Sequence, residues 1–514
     1  MDKYKPHIGK NVIETLTLGM YEDARYIYRE YVQNAADQID VAVEKNILEE
    51  KNEGEINIQI DVENREIVVE DNATGIKSKD VLQFLGDIAN SQKDRTKRKG
   101  FRGIGRLGGL GYCEKLIFET SYKGENIKSI ITLDAKLLKK FIEDDSVVMD
   151  AAEVISFITN LEKENDKNSL HYFKVTLQNV TNDSLLAVND VRKYLSIVAP
   201  VPFNEKFTFA KEIHQHFDKS NVRIEEYDVH LNINDEPLYK PYKKVIHSKT
   251  GYKEVEIIGV DFIEFRNESN LLIALGWYGV SNLLNNIIHP DDYERGIRIR
   301  KDNIQIGGED TLNRFFKEDR FNHHFIGEIY VIGDSFEMEN EFKPNARRDY
   351  FNDTKIVQVF EQKLELEFEK LHKYAHISSE IHSGIKKVEK FKQAKEKFKT
   401  KKFRSKNEAT KRKKELDKLK EDAKKGKKTL KKVESKSNSN KVIKTILNHK
   451  IEDKDLVIHD EDKSLIDKQY NEPDLAKLDK KERNLVYEIF KLIEENLNVD
   501  DAERIKQIIA KHYN

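Results

Sequence analysis

Cysteine, proline, tryptophan and long apolar runs are scarce in this chain of 514 residues. It contains one cysteine, Cys113, together with one tryptophan and eight prolines. A single cysteine cannot form an internal disulfide, which excludes a disulfide-stabilised scaffold and favours a reducing compartment. No apolar run is long enough to cross a membrane, and Met1–Pro6 has no apolar signal core. We therefore expect a cytoplasmic protein that makes no membrane contact.

Charged residues are abundant but unevenly distributed. They form 35% of the chain against 38% apolar residues, and the formal net charge is −2. Residues 386–436, here called the Lys-rich arm, contain 24 Lys and Arg against 8 Asp and Glu, which leaves +16 there and −18 elsewhere. This segment has no proline and predicts a long exposed helix, similar to a coiled-coil arm. It could bind nucleic-acid phosphates, or it could be a linker that docks on the acidic remainder.

A stripe of polar residues lies on the first long helix that the sequence predicts. Between Tyr21 and Val43, apolar residues recur at helical spacing. Glu30, Asn34 and Asp37 follow one another at i, i+4 and i+7 and therefore share one face. There, a carboxylate could activate water, an amide oxygen could bind a hard cation, and a second carboxylate could hold the cation's water shell. A solvated helix face would carry the same residues.

A predicted β-hairpin is followed by a polar turn. Alternating residues predict strands at Ile56–Val62 and Arg65–Glu70, and the turn Asp71–Gly75 comes next. The carboxylate of Asp71 could accept a hydrogen bond from an exocyclic amine such as that of adenine. Gly75 could let the chain pass close under a flat ring. An ordinary Asp-Asn turn after a strand would look the same.

Glycines are concentrated in a third segment. Between Gly100 and Gly111, twelve positions contain six of the 23 glycines of the chain. Such a density exposes backbone N–H groups and lets phosphates approach closely. A basic run, rather than a strand, precedes the GxGxxG pattern, so a dinucleotide-binding fingerprint is disfavoured. The segment predicts a phosphate-binding loop, and a merely flexible glycine loop is the alternative.

Together the three segments resemble the ATP site of the GHKL superfamily, which includes the gyrase ATPase subunit, the ninety-kilodalton heat-shock chaperones, histidine kinases and MutL. The pattern ExxxNxxD is matched from Glu30 to Asp37, and DNxxGI is matched from Asp71 to Ile76, with Ala73 where gyrase and MutL usually have glycine. The resemblance implies a Bergerat α/β sandwich that binds ATP and Mg²⁺. It implies these binding residues: Asn34, Asp37, Asp71, Gly75, Ile76, Gly100, Phe101, Arg102, Gly103, Ile104, Gly105 and Thr176.

The same resemblance implies roles for individual residues. Glu30 would be the general base for water, Asn34 the magnesium ligand, and Asp71 the group that recognises adenine. Thr176, in the predicted strand His171–Leu177, would correspond to a threonine on a late strand of the family. The glycine segment is close to the MutL form of the family's glycine box.

A later segment is similar to the middle domain of the heat-shock chaperones. Phe325–Ile332 predicts a strand, and Phe342–Phe351 follows it with an Asn-x-Arg-Arg-Asp run. The resemblance implies that Arg348 is catalytic, because a guanidinium from a second domain can stabilise charge on a transferred phosphoryl group. Arg347 replaces a serine of the family, so the sequence leaves open which arginine points inward.

Further strands are predicted in the same region. They are Val229–Ile233, Glu254–Ile258 and Leu271–Gly276. In another predicted strand, Arg298 and Arg300 alternate with isoleucines and would share a face that meets phosphate, an acidic partner or solvent.

The predicted fold class is α+β, with four regions. These are an ATP-binding domain (1–190), a transducer-like α/β middle domain (191–352), a helix with the Lys-rich arm or linker (353–440), and a helical C-terminal region (441–514). The predicted helix Thr354–His376 opens the third region. Two short amphipathic helices, which begin at Asp479 and Asp500, end the fourth. Such a pair cannot bury its own apolar faces fully and needs the body, a second copy of itself or a partner. We expect a homodimer.

The expected function is therefore ATP hydrolysis that depends on magnesium. The cycle would drive a nucleotide-gated dimeric clamp or a chaperone-like switch. A DNA-associated ATPase of the MutL or MORC kind is the alternative, and the resemblance also permits a role in phage defence. A third reading is an ATP sensor with little turnover. The sequence shows no nuclease metal motif, protease triad or zinc cluster, and it does not identify the client.

Overall fold

The computed structural model describes residues 8–17, 23–86, 105–232, 237–246, 253–284, 286–332, 355–401, 403, 406–451, 454, 456–458, 475 and 477–513. The chain forms two compact units. The first is Met1–Ser281 with Asn286–His372, and the second is Asn282–Asn285 with Lys373–Asn514. Two mixed sheets and a helical C-terminal region confirm the predicted α+β class. None of the helices in the described residues is long and apolar enough to cross a membrane.

The first sheet has seven strands. They are β1 (Glu55–Asp61), β2 (Glu66–Asp71), β3 (Lys115–Ser121), β4 (Ile127–Asp134), β5 (Thr159–Asn165), β6 (Tyr172–Gln178) and β7 (Asp228–Leu231). Their order is β5-β4-β3-β6-β2-β1-β7, and β7 is parallel to β1 while the other neighbours are antiparallel. The predicted hairpin is confirmed as β1 and β2.

One sequence prediction about this sheet is wrong. The strand predicted at Val229–Ile233 was assigned to the second domain, but it is β7 and extends the first sheet beside β1. Val229 and Leu231 are fully buried and pair with Ile56 and Ile58. The alternation of apolar residues predicted a half-buried strand, but it did not indicate which sheet the strand would join.

Helices cover one face of the first sheet. They are α1 (Asn11–Thr17), α2 (Tyr26–Glu44), α3 (Val81–Gly86), α4 (Ala135–Glu143), α5 (Ala151–Ile158) and α6 (Val188–Val198). Strand residues on this face, such as Ile58 and Val69, share one apolar core with Val32 and Ile39 of α2. This arrangement is the predicted α/β sandwich, and it makes α2 the central helix of the ATP-binding domain.

The second sheet has six strands. They are β8 (Val245–Ile246), β9 (Val255–Arg266), β10 (Leu272–Ser281), β11 (Gly296–Lys301), β12 (Ile304–Ile306) and β13 (Ile326–Val331). The order is β12-β11-β13-β10-β9-β8, and β11 is parallel to β13. The helix α7 (Ala210–Lys219) packs on this sheet through Ile213 and Phe217, in an apolar cluster that includes Trp277.

Arg298 and Arg300 of β11 are both buried, so neither meets solvent or a phosphate as the sequence suggested. The Arg300 guanidinium donates to Glu328 of β13 and, at 2.7 Å, to the carbonyl of Asn303. Glu328 also accepts from Lys240 Nζ at 2.7 Å. The acidic partner is therefore internal, because the parallel neighbour β13 places a carboxylate beside Arg300.

The remaining helices belong to the C-terminal part. They are α8 (Lys355–Thr400), α9 (Lys406–Ser437), α10 (Lys441–Ile451), α11 (Lys480–Asn496) and α12 (Val499–Tyr513). The division between the units falls within α8, after His372. The helix predicted from Thr354 is the first half of α8, and Phe360, Leu364 and Phe368 are buried as expected. The Lys-rich arm forms two helices instead of one, the end of α8 and most of α9.

The last two helices follow the sequence prediction closely. Asp479 and Glu482 form the predicted capping box of α11. The cap of α12 is Asn498 rather than Asp500, since Asn498 Oδ1 accepts from the backbone N–H of Asp501. The amide oxygen takes the capping position two residues earlier than the carboxylate that the sequence favoured. The domain boundaries predicted from the sequence stay predictions.

Candidate functional site

Glu30 lies on α2 next to a buried arginine. One carboxylate oxygen of Glu30 is 3.3 Å from a guanidinium nitrogen of Arg29. The Arg29 guanidinium also donates to the backbone carbonyl of Gln305 at 3.1 Å and stacks 3.8 Å from the centre of the Tyr26 ring. A buried, multiply bonded arginine fixes the neighbouring carboxylate while leaving it 21% exposed. Glu30 is therefore held in place and still reachable by water.

The end of the glycine segment packs against this carboxylate. Gly105–Gly111 forms a 3₁₀ helix, and a Cβ atom on Gly105 would lie 2.1 Å from Oε2 of Glu30. With glycine at this position the backbone reaches the carboxylate without displacing the Glu30 side chain. The hydroxyl of Tyr31 donates to the carbonyl of Arg106 and accepts from the N–H of Gly109, both at 3.2 Å. Tyr31, which the sequence motifs did not single out, anchors the segment to α2.

Asn34 and Asp37 continue the stripe of Glu30 along α2. Asn34 is half-buried and Asp37 is buried. Among the described residues, no group of three or more His, Cys, Asp and Glu side chains converges as a metal site. A magnesium ion on the Asn34 amide oxygen would therefore need phosphate oxygens and water to complete its shell, which is the usual chemistry of magnesium at nucleotides.

Asp71 is a buried carboxylate at the end of β2. It is 4% exposed, and within the described residues the N–H of Ala73 donates to its Oδ1 at 3.1 Å. Burial raises the pKa of Asp71 to about 8, although the Ala73 N–H opposes this shift. A carboxylate can accept about four hydrogen bonds, and the Ala73 N–H supplies one of them. Asp71 can therefore accept a further hydrogen bond from the amine of a ligand.

The turn after Asp71 is held in place by contacts that depend on the residues at positions 74, 75 and 76. Gly75 has φ +62°, and a Cβ atom there would lie 1.8 Å from the carbonyl oxygen of Ser121. The N–H of Ile76 donates to Thr120 Oγ1 at 2.9 Å. The hydroxyl of Thr74 donates to Oε1 of Gln38, on α2, at 3.0 Å. The turn is thereby fixed both to β3 and to the helix that carries Glu30.

Strand register shows which side chains share the face of Asp71. Asp71 pairs with Phe173 of β6, and Phe173 pairs in turn with Thr120 of β3, so the three point to the helix-covered face. Phe173 is half-buried and stacks on Phe118 with 5.8 Å between ring centres. An aromatic ring next to a buried acceptor is a suitable neighbour for a planar base.

The same register separates Thr176 from this group. Thr176 pairs with Val68 and Ile117, which point to the opposite face of the sheet. The structure does not bring Thr176 to the face that carries Asp71, so this register does not support the ATP-binding role that the resemblance implied for Thr176. Thr176 lies on β6 three residues after Phe173, the residue that pairs with Asp71. Successive residues of a strand point to alternate faces, so a separation of three residues puts Thr176 on the opposite face.

Other predicted site residues lie outside the described residues. They are Gly100, Phe101, Arg102, Gly103 and Ile104 of the glycine segment, and Arg347 and Arg348 of the middle domain. Their roles stay predictions.

Comparison with known proteins shows a similarity over the segment that contains this site. Residues 29–167 match the family model described as histidine kinase-, DNA gyrase B-, and HSP90-like ATPase. This segment is similar to the ATPase domains of the GHKL superfamily. It contains the polar stripe of α2, the turn after Asp71 and the glycine segment, and it ends before β6.

A curated relative points to one branch of the superfamily. The chaperone protein HtpG of Anaplasma marginale (strain St. Maries) is 27% identical to this chain over 139 residues. The match covers 25% of this chain and 22% of the relative, so it spans about a fifth of the relative's length. The expected resemblance to the GHKL ATPases, and to the heat-shock chaperones among them, is confirmed for the ATP-binding domain.

Proposed function

We propose that the chain binds ATP together with Mg²⁺ at the first sheet and hydrolyses it. The buried Asp71 carboxylate carries this proposal. Burying a carboxylate with too few hydrogen-bond donors costs free energy, and a ligand that supplies a further donor offsets that cost. The exocyclic amine of adenine is such a donor, and Phe173 on the same face offers a flat contact for the base. The family match over residues 29–167 supports the same ligand.

The polyphosphate would lie between α2 and the glycine segment. Backbone N–H groups of that segment would donate to phosphate oxygens, and Asn34 would bind the magnesium ion. Bound magnesium supplies positive charge that stabilises the phosphates. Glu30, positioned by Arg29 and next to Gly105, would accept a proton from the attacking water. Arg348 would add positive charge from the middle domain.

The cycle would act as a nucleotide-gated dimeric clamp or chaperone-like switch. The C-terminal helices support a constitutive dimer, since α11 exposes Leu485 (61%), Ile489 (39%) and Leu492 (59%) at spacings of four and three residues, and α12 exposes Ile508 (60%). An apolar stripe of this kind on a short helix pair favours burial against a second copy. Light scattering of the full chain and of Leu485→Glu with Leu492→Glu tests the dimer, and a monomeric parent contradicts it.

Replacement of the proposed base tests catalysis. Glu30→Gln should retain ATP binding and lower the turnover by about 100-fold or more, because the amide cannot accept the proton. Glu63→Gln, in the exposed β1–β2 turn, is the matched control and should behave like the parent. Turnover of Glu30→Gln equal to that of the parent would remove Glu30 from the mechanism, and a parent that binds ATP without turnover would leave a sensor.

A further inference from the structure

The two helices of the Lys-rich arm pack against each other through a seven-residue repeat on α9. Ala409, Leu416, Ala423 and Leu430 recur every seven residues and are all buried. A Cβ atom on Gly426 would lie 2.7 Å from the backbone carbonyl of Gly384 on α8, so the two backbones are in close contact there. The apolar side of α9 is thus covered by α8.

The opposite side of α9 carries a row of lysines. Positions two and five residues after each buried residue of the repeat face away from the partner helix. Of the seven such positions from 411 to 432, six are lysine and one is Glu421. All six lysines are exposed, and the lysine row consists of Lys411, Lys414, Lys418, Lys425, Lys428 and Lys432.

The acidic residues nearby neutralise part of this row and leave other members unpaired within the described residues. Glu421 pairs with Lys424 at 3.1 Å, and Lys425 pairs with Asp422 at 3.8 Å. Within the described residues, no ion pair involves the Lys414, Lys418 or Lys428 ammonium groups. Several like charges on one exposed helix face repel one another, and an anionic partner would relieve that repulsion.

The length of the lysine row bears on which kind of nucleic-acid duplex it could bind. From residue 411 to residue 432 the helix rises by roughly 32 Å, at about 1.5 Å per residue. One turn of B-form DNA measures about 34 Å, and its major groove admits an α-helix. The major groove of A-form RNA is too deep and narrow for such a helix.

The apolar and aromatic residues of the arm disfavour two other anionic partners. Phe391, Phe398 and Phe403 are buried in the arm's own core, so they cannot stack on the bases of a single strand. Leu416 and Leu430 are buried as well, so the described part of α9 exposes no apolar stripe that could enter a lipid surface. The lysine row of α9 presents ammonium groups, and these recognise a phosphate backbone without reading bases.

We propose that the lysine row of α9 binds the phosphate backbone of double-stranded DNA without sequence preference. This interaction surface is separate from the ATPase activity proposed above and does not rest on it. Each lysine that neutralises a phosphate releases a counterion, so the logarithm of the affinity should fall with the logarithm of the salt concentration by about 0.9 per contact.

A salt titration with the full chain tests the proposal. The probe is a fluorescent 20-base-pair DNA duplex of random sequence, titrated at several salt concentrations by anisotropy. Replacing all six lysines of the row by Gln should weaken binding at 50 mM salt by about tenfold or more and should flatten the salt dependence by several units. Replacing the same six by Arg should retain binding, because the charge is kept.

A control variant that loses the same charge elsewhere distinguishes binding by the lysine row from a general effect of net charge. Its substitutions to Gln are at six exposed positions of the other C-terminal helices: Lys444, Lys480, Lys481, Lys491, Arg504 and Lys511. The control should bind the duplex like the parent, and circular dichroism should show equal helix content in all variants.

Four results would overturn the proposal. They are a parent that does not bind the duplex at 50 mM salt, an equal loss of affinity in the row variant and the control, tighter binding to a single strand or an RNA duplex of the same length, and tighter binding to vesicles that contain an anionic lipid.

Discussion

Each sheet of the first unit carries a buried carboxylate, Asp71 in the first sheet and Glu328 in the second, and the two differ in the number of hydrogen-bond donors around them. Glu328 in the second sheet is fully buried and accepts from Lys240, Arg300, Tyr242 and Tyr330. Asp71 in the first sheet is almost as buried, and the N–H of Ala73 is the donor that contacts it within the described residues. One carboxylate is satisfied by the protein, and the other retains acceptor capacity for a ligand.

The pKa values of the two groups shift in opposite directions for this reason. Burial raises the pKa of both, but the charges of Arg300 and Lys240 overcome it at Glu328 and hold its pKa well below the usual range. At Asp71 burial prevails, and the pKa rises to about 8. A buried carboxylate with a full set of donors stabilises the fold, whereas one with few donors marks a binding site.

Removing the charge of Glu328 should have the largest effect. Glu328→Gln leaves Lys240 and Arg300 buried without an anion, so we expect a loss of about 3–5 kcal/mol in the free energy of unfolding. Urea denaturation measures it. Glu264→Gln, whose carboxylate pairs with Arg266 at 2.9 Å and is 41% exposed, is the matched control and should change stability little. Equal effects of the two substitutions would contradict the difference drawn between buried and exposed pairs.

The raised pKa of Asp71 predicts that nucleotide affinity depends on pH. Below about pH 8 the folded protein holds a proton on Asp71, and the protonated acid accepts from an amine less strongly than the carboxylate does. The affinity for ATP should therefore fall as the pH drops below 8, by up to about tenfold per pH unit, and level off above it. Calorimetry in two buffers of different ionisation enthalpy should also show proton release at pH 7. A flat profile from pH 7 to pH 9 would contradict the assignment.

A smaller effect separates the two faces of β6. Phe173→Leu should weaken ATP binding by about fivefold, because it removes an aromatic contact worth about 1 kcal/mol. Thr176→Val, on the opposite face, should leave the affinity unchanged. The reverse order of effects would show that the register of β6 has been misassigned.

Much of the ATP-binding domain follows from the sequence. The hairpin of β1 and β2 was predictable because strict alternation together with a polar turn specifies both the strands and their pairing. The positions of Glu30, Asn34 and Asp37 on one helix face follow from helical periodicity alone. The family resemblance implied that Gly105 binds ATP, and the structure adds that Gly105 lies against Glu30, where a Cβ atom would meet the carboxylate.

Other features depend on contacts between distant segments and could not be predicted. Thr176 lies on the correct strand, but its face is set by pairing with Val68, about a hundred residues away. Arg300 and Glu328 form one cluster because β11 and β13 are parallel neighbours, and neither strand's alternation indicates its partner. Tyr31 joins α2 to the glycine segment through a single hydroxyl group. Such a contact produces no periodic pattern in the sequence from which it could be predicted.

Binding of ATP to Asp71→Asn tests the central claim most directly. Calorimetric titration of Mg²⁺ and ATP at pH 8.5, where Asp71 is ionised, should show binding to the parent and to Asp145→Asn, an exposed matched control. Asp71→Asn should bind at least about tenfold more weakly, since an amide presents a donor as well as an acceptor to the adenine amine. Its midpoint of unfolding should not fall below that of the parent. Equal affinities in all three proteins would contradict the assignment of Asp71 as the group that recognises adenine.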